Sequence, residues 1–447
     1  MIRRLFFFAS ILIALLSACS DNDSFSSDPS QRLTFSKDTV KLDTLFSAVP
    51  SSTYTFWVYN NSSDGIRIRT VRLDRGNQSG FRVNVDGTFV NPVVNDLEIR
   101  KNDSIRVFVE ITSLENAQDV PQLVEDNLLF TLESGVVQKV NLRTWSWDAK
   151  KMTNLVVTAD MTIEESKPLV LYGSGITIEE GATLTIKNTT LYFHAHAGIT
   201  VKGRLVAEQS VFRGDRLDHM FNYLPYDRVD GQWQGITVVK GSTGCDMTDC
   251  EVRNPMTGFN CVHADLCLKN TIVHNCKGAG IFAQFSAIML DGCQVSNTLN
   301  DCVTLLGSSA TIDHTTLAQF YPLSANRGYA IRWAQAKEKV EETTETYGVS
   351  LTMSNTLMTG YKDDVLSGEK RTDDGMVTYE FTNCMLRTPA IEDAESFKDI
   401  IWEKPTDEIQ GTKHFKLIDE TNMIYDFTLK EESPAYQKGI GRIVVTP

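Results

Sequence analysis

Two hydrophobic patterns divide the chain. Over residues 31–148 apolar and polar positions alternate in short runs, at 54–59, 66–73, 81–85, 105–111, 128–132 and 136–142. Period-two alternation sends successive side chains to opposite faces, so these runs predict half-buried strands. Between them lie Asn60-Asn61-Ser62-Ser63-Asp64-Gly65, Asp74-Arg75-Gly76-Asn77 and Asp86-Gly87, residue types that accept positive φ and suit tight turns. From residue 149 onward the alternation gives way to a repeat. Octads at 184–191, 245–252, 266–273, 288–295, 310–317, 351–358 and 379–386 start 61, 21, 22, 22, 41 and 28 residues apart. The spacing near 21 recurs, and 41 and 61 are close to its multiples, which predicts a solenoid carrying insertions.

The columns of the repeat assign a job to each position. The third position is Ile186, Met247, Leu268, Leu290, Ile312, Met353 or Phe381, and the eighth is Leu191, Val252, Val273, Val295, Leu317, Met358 or Leu386. Both columns are large and apolar, as interior positions require. The fifth position is Asn188, Asp249, Asn270, Gly292, His314, Asn355 or Asn383, the types that best accept the left-handed conformation. Each octad therefore reads as two short strands joined by a sharp bend. The sixth position is only Thr or Cys, a small side chain stacked coil over coil beside the bend.

In these features residues 149–447 resemble the right-handed parallel β-helix family, and the Leu and Asn consensus of leucine-rich repeats is missing. The segment Asp426-Phe427-Thr428-Leu429, Ser433-Pro434-Ala435, Gly439 resembles the closing segment of such proteins and implies a C-terminal cap. Residues 31–148 resemble a bacterial immunoglobulin-like domain, which implies an antiparallel β-sandwich serving as spacer or interaction module. The expected fold class is thus all-β, an N-terminal β-sandwich followed by a right-handed parallel β-helix.

The N-terminus carries an address. Arg3 and Arg4 precede an apolar run at 5–16 that spans about 18 Å as a helix, too short for a hydrocarbon core of about 30 Å. Residues 1–18 therefore read as a signal peptide. Leu16-Ser17-Ala18-Cys19 resembles the lipobox of bacterial lipoproteins, which implies acylation of Cys19 and a membrane partner through that lipid. Residues 19–30, polar and acidic, read as a flexible tether. An acidic patch after the lipidated Cys resembles the surface-export signal of some Gram-negative lipoproteins, which implies the outer membrane and the cell surface, with its periplasmic face as the alternative.

Composition adds exclusions. With 43 Lys+Arg against 57 Asp+Glu the formal charge is −14, which argues against nucleic-acid binding. Eight cysteines remain after Cys19, but Cys250 and Cys293 occupy one column two coils apart, about 10 Å, beyond the reach of about 7 Å that a disulfide allows. They read as small buried hydrophobes, with Cys267 set apart in an outward-facing column. Asn254, Asn275 and Asn297, spaced by 21 and 22, read as an asparagine ladder bonding its own turns.

Chemistry is harder to place. An insertion at 215–232 interleaves Met220, Phe221, Tyr223 and Tyr226, followed by Trp233, with Asp215, Asp218, His219, Asp227 and Arg228. Such a segment is either a flap packed on the flank, the favoured reading, or one wall of a cleft. The candidate binding surface is accordingly Asp215, His219, Tyr223, Tyr226, Trp233 and His263. A second insertion at 334–345 is charged and reads as an exposed loop or short helix. Asn300-Asp301-Cys302 resembles the Asp-Asp-Cys of polygalacturonases, but Asn300 replaces the first acid and the Gly-His-Gly and Arg-Ile-Lys motifs are missing, so hydrolysis of that kind is not expected. Asp363-Asp364 and Asp373-Asp374, with Lys362, Lys370 and Arg371, read as a solvated loop. His194-Ala195-His196 would put two imidazoles on one strand face, but no third ligand is evident, and no metal is assigned. No catalytic residue or cofactor is assigned. The expected function is non-catalytic binding of a polysaccharide or an envelope partner on the solenoid face by a monomer, with a polysaccharide lyase or other carbohydrate-active enzyme as the alternative.

Overall fold

The computed structural model describes residues 24–444 except 119 and 222; the signal segment and Cys19 lie outside the described residues. The chain is nearly all β, with long parallel sheets of the kind from which β-helices are built. It divides into two compact units, one ending at Asp148 and one starting at Ala149.

In the first unit two sheets form. Gly65–Leu73, Gln122–Leu132 and Val137–Trp147 pair antiparallel at the centre of one. Tyr54–Asn60, Asp103–Ile111 and Phe81–Val85 do so in the other. Alternate residues of both, such as Ile68, Phe130 and Val140 against Val58, Val83 and Val107, are buried in a single cluster. Asp86 and Gly87, both at positive φ, turn Phe81–Val85 into Thr88–Phe89.

The second unit winds through three stacks of parallel strands. The first stack runs through Thr190–Phe193, Val211–Gly214, Glu251–Arg253, Ile272–Cys276, Gln294–Thr298, Thr316–Gln319, Leu357–Gly360 and Met385–Leu386. The second runs through Gly198–Val201, Ile236–Val238, Phe259–Val262, Ile281–Gln284, Val303–Leu306, Ile331–Ala334 and Leu366–Gly368. The third begins at Met161–Ile163 and reaches Phe397–Lys398. Each octad spans a third-stack strand, a bend and the next first-stack strand. All seven fifth-position residues take φ between 42 and 64°, and every third- and eighth-position side chain is buried. Inside the bend, Thr271, Thr315 and Thr356 accept the N–H of Cys250, Cys293 and Thr315 respectively, so the sixth column is a hydrogen-bonded ladder. The eight described cysteines are free; seven are buried, and Cys267, partly exposed, faces Met289.

Three expectations change. The segment 19–30, read as a flexible tether, is in its described part built into the first unit: Phe25–Ser26 pairs parallel with Gly65 and Ile66. The second insertion is neither loop nor helix but an antiparallel hairpin, Ala336–Val340 with Thr343–Tyr347. Its second arm is rich in β-branched Thr and ends in Tyr, which favour an extended chain. The closing segment covers a flank instead of serving as a terminal cap. Phe415, Phe427, Leu429, Ala435 and Ile440 bury the outward side chains of the first stack, Ala318, Leu357 and Met385. The sequence explains why: those outward positions are apolar and need a cover.

Candidate functional site

With the first stack covered, the outward column of the second stack becomes the informative surface. The registers align Thr200, Thr237, Asn260, Phe282, Thr304, Arg332 and Ser367 in one row. Both corners beside this row carry insertions. On one corner sit the 215–232 flap and the 320–330 loop, joined by a hydrogen bond from the Tyr321 hydroxyl to Asp230. On the other the Ala336–Tyr347 hairpin packs Tyr347 on Phe285, centroids 4.4 Å apart, and brings Glu338 Oε1 to 2.9 Å from His263 Nε2.

Within this frame lies a groove of about 570 Å³ lined by Phe282, Asn300, Asp301, Thr304, Arg327, Tyr329, Arg332 and Lys362 among others. Its organising group is Asp301, nearly buried at 6% exposure. One carboxylate oxygen accepts from the Tyr329 N–H at 2.7 Å, and the other accepts from Thr304 Oγ1 at 3.0 Å and Arg332 Nε at 2.7 Å. This carboxylate holds the Arg332 guanidinium above its ordinary pKa, chiefly by hydrogen bonding. Gly328 makes the arrangement possible: a Cβ there would come within 2.5 Å of Asp301 Oδ1. Tyr329 then lies under two cations, Arg332 Cζ 4.9 Å and Lys362 Nζ 4.8 Å from its ring centre. Lys362 donates to the Arg327 carbonyl at 2.6 Å, and Arg327 covers Tyr361 at 4.4 Å.

The residues singled out in the sequence scatter. Asp215 and His263 occupy opposite corners of the second stack, because one follows a first-stack strand and the other follows a second-stack strand. Asp215, 4% exposed, pairs with His194 Nδ1 at 2.7 Å, and the His194 ring lies 5.0 Å from Tyr172. The Asp215 hydrogen bond raises the His194 pKa, while burial and then the Asp215 charge push the Tyr172 phenol up to about 12. His194 and His196 do not share a strand face, since the chain turns there with His196 at φ 74°. Trp233 is no surface residue. It is fully buried, stacked on Phe193 at 4.3 Å, with its indole N–H donating to the Arg253 carbonyl. Tyr226 packs under Arg216, 4.1 Å from its ring centre, and Tyr223 is exposed, stacked with Phe221 at 5.7 Å. His219 lies in the flap's short hairpin. The flap thus divides its aromatics between packing and exposure.

Asn254 and Asn275 stack as a ladder, Asn275 Nδ2 donating to Asn254 Oδ1 at 2.8 Å, but their amides donate to the Asp227 and Arg228 carbonyls of the flap instead of to their own turns. Asn297 is equally buried but has no hydrogen-bond partner for its amide. Among the described residues, Asp291, Asp313 and His314 place ligand atoms within 4.8 Å of one another. The Asp313 oxygens, however, are taken up by Ser354, Asn355 and His314.

Sequence reasoning missed Arg327, Tyr329 and Arg332, because the insertion between Gln319 and Ile331 breaks the octad register. Arg332 was findable: continuing the outward column from Thr304 lands on it.

No protein-family model matches the chain. No curated protein sequence matches it. Among solved structures, a family 123 glycoside hydrolase from Clostridium perfringens aligns at 9% identity over 28% of this chain and 30% of that one, with a TM-score of 0.20. The PapD-like domain 7 of human CEP192 aligns at 10% identity over 28% and 92%, with a TM-score of 0.19. The catalytic unit of an α-1,3-glucanase from Streptomyces thermodiastaticus strain HF3-3 aligns at 9% identity over 78% and 87%, with a TM-score of 0.16. Likenesses this distant carry no argument about what the chain does.

Proposed function

We propose that the chain is a lipid-anchored cell-envelope protein of the right-handed parallel β-helix type, whose second-stack groove binds a glycan without cleaving it. The observation that carries this reading is the groove itself: a preformed, polar, aromatic-floored channel on a rigid sheet, with insertions on both corners. Thr304 and Arg332 stand on strands, and the loop donors Arg327 and Lys362 are tied to backbone carbonyls, so little ordering is needed when a sugar chain binds. In this reading Cys19 carries the lipid, residues 31–148 form an immunoglobulin-like sandwich that acts as a spacer, and the mature monomer stands on the outer membrane, facing outward. Neither nucleic acid nor a metal is part of the reading.

A second reading has one observation in its favour. Lys362 and Arg332 flank the Tyr329 ring, which puts a base, a second cation and a phenol together, the parts a polysaccharide lyase needs for β-elimination. One experiment separates the two. The full chain is incubated with a panel of acidic and neutral polysaccharides, following retardation in affinity electrophoresis, new reducing ends and the ultraviolet absorbance of unsaturated products. Retardation without products is expected. Products from any substrate would replace binding by catalysis, and neither retardation nor products across the panel would overturn both readings. The anchor is tested separately: Cys19→Ala should move the chain from the membrane fraction to the soluble one.

A further inference from the structure

We infer that the groove is selective for anionic glycans, with Arg327, Arg332 and Lys362 around Tyr329 forming a subsite for a uronate carboxylate or a sulfate ester. This rests on the glycan reading above and narrows it to a substrate class. The argument starts from charge. The molecule as a whole is at −14, yet the groove lining holds three basic side chains against one acid, Asp301. A cationic patch on an acidic protein attracts anions locally while the rest of the surface repels them, which gives selection by charge.

The cations are also held in place. Arg332 is fixed by its two-pronged pairing with Asp301 and still has 42% of its side chain exposed. Lys362 points one donor at the Arg327 carbonyl and lies over Tyr329, so the ammonium is positioned by neutral groups that leave its charge intact. Arg327 donates through Nε and Nη2 to the Ser324 carbonyl, again a neutral partner. One of the three charges is therefore balanced by a carboxylate within the groove, and two are not. A carboxylate or sulfate oxygen adds Coulomb attraction to the hydrogen bond that a hydroxyl offers the ammonium and guanidinium groups, and a planar carboxylate or a tetrahedral sulfate presents an oxygen pair that matches the guanidinium fork.

The same inventory argues for direct contact instead of contact through a bridging divalent cation. Such a bridge needs protein carboxylates facing the ligand. Asp301 already accepts from Thr304, from the Tyr329 N–H and twice from Arg332.

The test uses the full chain in detergent, titrated calorimetrically with alginate oligosaccharide, dextran sulfate and neutral dextran of matched size, each with and without a chelator. At least one anionic probe is expected to bind about tenfold more tightly than dextran, to weaken as salt is added and to ignore the chelator. The two anionic probes tell a carboxylate ligand from a sulfate. Arg332→Gln and Lys362→Gln should each lose about tenfold in affinity for that probe. If Arg332→Gln fails to fold because Asp301 loses its partner, Lys362→Gln decides, since it removes only one hydrogen bond to a backbone carbonyl and the cation's contact with Tyr329. Equal affinity for all three probes would overturn the charge selectivity and leave glycan binding standing. Loss of binding with the chelator, or an unaffected Lys362→Gln, would overturn the subsite. No binding to these probes or to the wider panel would remove the glycan reading itself.

Discussion

At the residue scale, the octad bends of the solenoid rest on seven residues held at positive φ. Asn270 is exposed and has φ 48°, so its contribution is conformational and separable from packing. Asn270→Ala should cost about 1–2 kcal/mol in denaturant unfolding, and Asn270→Gly should cost little or nothing. A large loss in both would mean that the Asn side chain acts through contacts instead. The dyad at the flap base gives a second residue-scale prediction. Because the Asp215 hydrogen bond is the main cause of the raised His194 pKa, Asp215→Asn should shift the His194 titration downward when followed by nuclear magnetic resonance. An unmoved titration would contradict the pairing. The bends were legible in the sequence because one residue type per coil has to accept the left-handed region. The burial of Trp233 was not, since its partner Phe193 belongs to the preceding coil.

At the element scale, the closing segment is held by a buried ionic network. The Glu403 carboxylate, fully buried, accepts from Arg387 at 2.6 Å and from the Gly411 N–H at 2.8 Å, and His414 Nε2 lies 3.2 Å away. Burial by itself raises the Glu403 pKa, but the His414, Arg387 and Gly411 interactions outweigh it and hold the group below the ordinary glutamate value. A depressed carboxylate contributes stability above its unfolded pKa of about 4.3 and loses it as pH falls through the folded value. The melting temperature should therefore drop as pH is lowered below about 4.3. Glu403→Gln should lower it at neutral pH, by a cost of about 3 kcal/mol, and flatten the acid limb. A variant with the wild-type pH profile would show that this network does not hold the segment. The covered flank explains why a terminal cap was the natural reading of the sequence. Phe427, Leu429 and Ala435 announce an apolar face, but which stack receives it depends on outward residues such as Leu357 and Met385, which belong to the seventh column, apolar in some coils and polar in others.

At the scale of the whole solenoid, each of the three faces has a different environment: one is covered by the closing segment, one is flanked by insertions at both corners, and the third presents a plain outward column including Cys267, Met289 and Thr311. The coil and its period were readable because every turn repeats the same packing problem. The groove was not, because its residues come from insertions that differ from coil to coil, and Asp301 drew notice only through a motif it does not complete. Gly328 links the loop to the floor, so Gly328→Ala should displace Tyr329 and lower glycan affinity with a smaller effect on melting than a core substitution. The most direct test of the central claim is hydrogen–deuterium exchange of the full chain with and without the polysaccharide retained most strongly in electrophoresis. Protection is predicted over 299–306, 326–334 and 361–367, with none over 265–269 and 287–291 on the third stack. Protection confined to the third stack, or absent from 326–334, would contradict a glycan site in the second-stack groove.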